Sequence, residues 1–217
     1  MYRLINVKKN YLQGETQIEV LKGLNFRINE GESVSIVGQS GSGKSTLLSI
    51  LSGLESVNSG EICFNEVNLT NANEETLTNF RASKLGIIFQ HFHLVPHLTA
   101  LENVILPLEI NGIEDPTRAK DLLHRVGLKN RENHLPSQLS GGEMQRVAVA
   151  RALVSKPMII LADEPSGNLD KENAAIVTNL MFELIREEKT ALILVTHDKD
   201  LANLCERKLS LVDGILN

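Results

Sequence analysis

No run of apolar residues in this sequence approaches the roughly 20 that a membrane-spanning helix needs. Such a helix is excluded, and any membrane role must come through a partner. Positive charge is also short: 22 Lys and Arg stand against 27 Asp and Glu, a net charge of −5. That excludes the global basic field that draws a protein onto nucleic acid, although a local basic patch is compatible with it. Cysteine is nearly missing. Cys63 and Cys205 each lie in an apolar stretch, with no Cys or His at zinc-ligand spacing, and read as buried free thiols of a reducing compartment. Internal repeats and low-complexity tracts are lacking too. The opening Met1-Tyr2-Arg3-Leu4-Ile5-Asn6-Val7-Lys8-Lys9 reads as a charged, alternating strand instead of a secretory signal. The expectation is a soluble chain that stays in the cytoplasm.

What is present is an ordinary globular balance, with 42% hydrophobic and 23% charged residues, and 217 residues suffice for one core with a subdomain. Short β-rich runs alternate with helical patterns. Ser33-Val34-Ser35-Ile36-Val37 is strand-like and meets a glycine-rich turn, after which Leu47, Leu48, Ile50 and Leu51 have helical spacing. Glu61-Ile62-Cys63-Phe64 and Leu85-Gly86-Ile87-Ile88-Phe89 are further strands. Met158-Ile159-Ile160-Leu161-Ala162 and Ala191-Leu192-Ile193-Leu194-Val195 are continuous apolar runs, as strands buried on both faces require. Lys208-Leu209-Ser210-Leu211-Val212, before the turn Asp213-Gly214, reads as an edge strand. From about residue 99 to 155 the pattern turns helical: Thr99-Ala100-Leu101-Glu102 is a capping box, Asp115-Pro116 starts a second helix, and Gly141-Gly142 opens a third. This predicts an α/β core interrupted by a helical insert, within a single domain.

Three motifs carry chemistry. Gly38-Gln39-Ser40-Gly41-Ser42-Gly43-Lys44-Ser45 matches the P-loop pattern and lies between a strand and a helix, as the mechanism demands. Its glycines let backbone N–H groups face phosphate oxygens, and the following helix, from Lys44-Ser45-Thr46 onward, presents its positive end to the same anion. Lys44 places a cation on the β- and γ-phosphates, and Ser45 offers a hydroxyl to Mg²⁺. Asp163-Glu164 closes the buried strand 158–162, where α/β sheets bind ligands. Solvated turn acids would look the same in isolation, but a nucleotide needs Asp163 on the metal and Glu164 on the attacking water. His197 follows the strand 191–195 and reaches the same rim, where a neutral imidazole can contact the γ-phosphate. The cofactors expected are ATP and Mg²⁺.

Leu139-Ser140-Gly141-Gly142-Glu143 would alone be a capped helix. Together with the P-loop and Asp163-Glu164 it resembles the signature of the ABC (ATP-binding cassette) family, and the resemblance covers nearly the whole chain. It implies a P-loop NTPase cassette over 1–217: a RecA-like core sheet, an N-terminal antiparallel β part and a helical insert at about 91–157. Tyr11 is similar to the aromatic platform for adenine. Gln90 is similar to the Q-loop glutamine that touches Mg²⁺ or water and senses the membrane subunit. Ser166-Gly167-Asn168-Leu169-Asp170 resembles the D-loop, with Asp170 at the dimer interface, and His197 the switch histidine. In this family two subunits sandwich two ATPs head to tail, so Ser140, Gly141, Gly142 and Glu143 would face the partner's nucleotide. The partners implied are a second cassette and transmembrane permease subunits on separate chains, with no nucleic acid, and the place is the cytoplasmic face of the cell's inner membrane.

Finer features point within the family. Phe89-Gln90-His91-Phe92-His93-Leu94-Val95-Pro96, followed by Leu98-Thr99-Ala100-Leu101-Glu102-Asn103-Val104, resembles the lipoprotein-release and macrolide-export group. Asn133-His134-Leu135-Pro136-Ser137-Gln138 and Gly167-Asn168-Leu169-Asp170 agree, with Ser166 replacing a commoner threonine and keeping its hydroxyl. DNA-repair and translation ABC proteins carry coiled coils or duplicated cassettes, which are missing here. A cell-division ATPase that regulates wall hydrolases uses closely similar motifs and stands as the alternative. Phe92, Leu94, Val95 and Leu98, directly after Gln90, are expected to dock the membrane partner.

Overall fold

The computed structural model describes Met1–Asn217, which form two compact units: Met1–Arg81 with Ala191–Asn217, and Ala82–Thr190. The first unit starts with the long antiparallel pair β1 (Tyr2–Gln13) and β2 (Thr16–Ile28), extended on β1's other side by β4 (Ser59–Phe64) and the short β5 (Val67–Asn68). Its second layer is parallel. β3 (Ser33–Val37) is flanked by β8 (Ala191–Thr196) and β9 (Arg207–Val212), and β10 (Ile215–Leu216) closes back on β9. β9 is therefore an interior strand, contrary to the edge position expected from sequence. The two-residue β10, too short to give a hydrophobic period, occupies the edge instead. Helices α1 (Lys44–Leu51), α2 (Glu74–Lys84), which begins here, and α7 (Lys199–Ala202) complete this part.

Three of the chain's few aromatic rings anchor this unit. Tyr2 and Phe80 each meet Phe64 edge to face, at centroid distances of 5.5 and 5.0 Å, and lie tilted against each other at 6.2 Å. The phenol of Tyr2 is fully buried and donates to the carbonyl of Leu51 at 2.8 Å, which fixes the end of α1 against β1. Burial drives that phenol's pKa far above its ordinary value, so it stays a donor. Cys63 and Cys205 are free thiols, half-buried instead of fully buried, and burial pushes the thiol of Cys205 up to about 12.

The second unit is a parallel strand pair carrying helices. β6 (Leu85–Ile88) pairs with β7 (Ile159–Asp163), and α3 (Ala100–Ile110), α4 (Thr117–Arg125), α5 (Gly141–Leu153) and α6 (Lys171–Glu187) pack with them. The capping box at Thr99 is present: Thr99 Oγ1 accepts from Glu102 N–H at 3.2 Å, and Glu102 returns the bond at 2.7 Å. Helix α5 is the pillar. Val147, Ala148, Val149, Ala150 and Leu153 are all inaccessible to solvent, so the helix is buried nearly all round.

Helix α5 can press this closely on β6 because residue 86 is glycine. A Cβ there would lie 2.3 Å from the carbonyl oxygen of Ala152, a contact no side chain tolerates. Gly86→Ala is expected to destabilise the protein by about 1–3 kcal/mol through forced backbone shifts, read as a lower urea midpoint; an unchanged midpoint would show that the pair is not held this tightly.

Candidate nucleotide site

The loop after β3 holds its shape through backbone geometry. Gly43, the N-cap of α1, has φ 102°, a left-handed value that favours glycine, and a Cβ there would meet Leu21 at 2.9 Å. No side chain caps α1, which leaves its leading N–H groups open to an anion. Gly38 is needed for space: a Cβ would lie 2.5 Å from both Leu211's carbonyl oxygen and Ser42 Oγ. That hydroxyl is buried without a hydrogen-bond partner, the kind of orphan donor a phosphate oxygen satisfies. Lys44 turns its ammonium onto the loop, donating to the carbonyls of Gly38 at 2.9 Å and Gln39 at 2.7 Å. Gln39, Ser40, Gly41 and Ser45 are exposed, and Thr46 is half-buried at the first turn of α1.

Two other predicted residues belong to this unit. Val37 pairs with Thr196 in parallel register, so His197 leaves β8 on the rim where β3 runs into the loop. Tyr11 lies on β1 opposite Ile18 with its ring 39% exposed, and Lys9 Nζ is 5.0 Å from the ring centroid.

The second unit gathers the rest. Ile88 pairs with Ala162, so the chain into Gln90 and the chain into Asp163-Glu164 leave the strand pair at one end. Glu164 has φ 44°, a left-handed conformation uncommon for a residue with a side chain and typical of functional sites. Gln90 Nε2 donates to Asn168 Oδ1 at 3.0 Å, and Asn168 Nδ2 donates back to the carbonyl of Gln90 at 3.1 Å. The nitrogen of Gln90 thus serves Asn168, and its oxygen is the atom suited to a cation.

Ser140 is the N-cap of α5. Its hydroxyl accepts from Glu143 N–H at 3.2 Å, and Glu143 accepts from Ser140 N–H at 2.8 Å. The backbone N–H of Ser140, with Arg131 beside it, holds the Glu143 carboxyl below its usual range. Gly142 packs against α6, where a Cβ would meet Asn173 Oδ1 at 2.6 Å, while Gly141 has room. Asp170 caps α6, accepting from the backbone N–H groups of Glu172 at 3.1 Å and Asn173 at 3.0 Å and from the Asn173 side chain at 2.7 Å.

Sequence reading missed the side chains that brace the segment after Gln90. Arg151 donates to the carbonyls of Phe92 at 2.8 Å and His93 at 2.6 Å. Asn103, fully buried, donates to the carbonyls of Val95, Leu98 and Thr99 and accepts from Val95 N–H. Phe92, Leu94, Val95 and Leu98 are half-buried on this braced segment, and His91, His93 and His97 are exposed. A buried polar residue inside a helical pattern was the one available signal.

An open helix N-terminus behind a glycine loop, a strained acid at a strand end and a second capped glycine helix define a phosphate-handling ATPase cassette. The chain belongs to the ABC transporter family, whose model matches residues 21–167. It is one of that family's ATP-binding and ATP-hydrolysing subunits. It is 46% identical, over 99% of its length and 96% of the relative's, to the lipoprotein-releasing system ATP-binding protein LolD of Saccharophagus degradans. Two dimeric solved structures of the bacterial ABC transporter cassette MJ0796, one in a post-hydrolysis state with ADP and Pi, match with a TM-score of 0.91. Both are 42% identical and cover 100% of this chain and 97% of theirs.

Replacing Lys44 with Ala removes the ammonium from the phosphate loop. ATP affinity, read by titrating a fluorescent nucleotide, should drop by at least about tenfold, the loss expected of a charge-assisted contact; affinity within about twofold of wild type would contradict that role.

Proposed function

We propose that this cassette powers lipoprotein release, hydrolysing ATP as a head-to-tail dimer that drives transmembrane subunits carried on separate chains. The observation that carries the reading is the 46% identity to LolD across nearly the full length of both proteins. The dimeric MJ0796 cassettes support the pairing. No helix in this chain is long and apolar enough to cross a membrane, so the membrane path belongs to partner subunits, with the cassette on their cytoplasmic face. The whole chain acts as one cassette, with a helical insert at about 91–157.

In this reading Tyr11 stacks on adenine, and the N–H groups of 38–46 with Lys44 and the orphan hydroxyl of Ser42 hold the phosphates. Hydroxyl, carboxamide and carboxylate oxygens of Ser45, Gln90 and Asp163 are the hard donors that would hold Mg²⁺, which would neutralise phosphate charge. Glu164 polarises the attacking water, and His197 contacts the γ-phosphate. Ser140, Gly141, Gly142 and Glu143 place the N-terminus of α5 on the partner's nucleotide, with Asp170 at the same interface. A site completed only by a partner ties hydrolysis to dimer closure, and closure is the motion passed on through the segment 89–98. The half-exposed Phe92, Leu94, Val95 and Leu98 form its apolar docking face.

Glu164→Gln keeps the size of the side chain and removes the base. Hydrolysis should fall by about 10²–10⁴-fold, ATP binding should persist, and an ATP-bound dimer should accumulate on size exclusion. Hydrolysis at the wild-type rate would sink the assignment.

A further inference from the structure

Gln145 stands in the middle of α5, with no solvent exposure at all. Its Nε2 donates to two carbonyls: that of Pro165 at 2.6 Å and that of Phe89 at 3.3 Å. Pro165 directly follows Glu164, and Phe89 directly precedes Gln90. One buried amide therefore binds the backbone beside the base and the backbone beside the nucleotide sensor to the helix that begins at Ser140.

Two further facts set this amide apart from a filler of the core. Its Oε1 is buried without a hydrogen-bond partner, which costs stability that an apolar residue of the same shape would not lose at that atom. Glu164 sits in the left-handed region, and such a conformation persists only where neighbours over-determine it. Within the turn, Gly167 N–H donates to the Glu164 carbonyl at 3.0 Å. The short bond from Gln145 to Pro165 ties the same turn to α5.

We infer that Gln145 is a positioning residue for ATP hydrolysis: it ties the turn bearing Glu164 and the strand end bearing Gln90 to the signature helix, so that base and sensor are held in place for the reaction. It touches neither nucleotide nor water and acts through Glu164 and Gln90. The inference rests on the roles proposed above for those two residues. Its two bonds go to the carbonyls of Phe89 and Pro165 and to no residue of the phosphate loop, so binding and hydrolysis should separate when it is removed.

The test compares full-length wild type with Gln145→Met, Gln145→Leu and Glu164→Gln. Met keeps the length and Leu much of the volume, both without donors. Both Gln145 variants should bind a fluorescent ATP analogue with wild-type affinity and lose at least about tenfold in kcat, with KM for ATP within about twofold, the signature of a loss confined to the transition state. With hydrolysis slowed, ATP-bound dimer should accumulate, as for Glu164→Gln. Wild-type kcat in both variants overturns the inference. So does failure of both to fold, or a fall in ATP affinity matching the fall in kcat, since the amide would then be structural only. If Glu164→Gln itself hydrolyses normally, the proposed role of Glu164 fails first.

Discussion

Backbone N–H groups can hold a triphosphate only if nothing intervenes and the chain is held still in a turn that it would not otherwise keep. That demand governs the first unit. β3 is pinned by parallel neighbours on both sides, so the point where it releases the chain at Gly38 is fixed. Leu21 and Val20 of β2 close against Gly43, and the Leu211 carbonyl of β9 closes against Gly38, so both sheets of the unit brace one loop. At its far end α1 is tied down by the buried Tyr2 phenol on Leu51. The helix therefore presents a rigid positive end, and electrostatic preorganisation of this kind needs no rearrangement when phosphate arrives.

The second unit solves a complementary problem: keeping a carboxylate, an amide and a helix N-terminus in a common frame. It does so with polar side chains on or beside α5, of which Gln145 and Asn103 are fully buried. Gln145 and Arg151 project from that helix to carbonyls at 89, 92, 93 and 165, Asn103 gathers carbonyls at 95, 98 and 99, and Asn168 pairs with Gln90. The segment 89–98 has little regular structure, yet its carbonyls at 89, 90, 92, 93, 95 and 98 accept hydrogen bonds, which brace it against the rest of the unit. Arg151 stays charged in this role even though burial lowers its pKa from the usual arginine value.

Sequence alone reached the strands at 33–37, 159–163 and 191–196 because continuous apolar runs between turn signals leave little else to form. It located the capping box at Thr99 through its spacing and read the helix opening at Gly141-Gly142 as capped, where the structure shows a second capping box at Ser140. It passed over β2, whose exposed polar half hides the period, and α6, whose cap at Asp170 was read only as an interface residue. The P-loop chemistry followed from the residues, while the parts given to Tyr11, Gln90 and Asp170 came from family resemblance. Neither route reached Gln145, Asn103 or Arg151, because a polar residue within a helical pattern is normally a surface residue, and nothing in the sequence encodes the left-handed turn at Glu164.

The central claim is that the phosphate loop of one copy is closed by the signature helix of another. Cross-linking tests it most directly. In a Glu164→Gln background with Cys63 and Cys205 replaced by Ser, one chain carries Ser40→Cys and a second, tagged chain carries Ser140→Cys. Under mild oxidation the account predicts a disulfide-linked heterodimer that forms with ATP and not without it. ATP-dependent dimers that never cross-link, or a bond that forms within one chain carrying both cysteines at a dilution where no dimer exists, would contradict it.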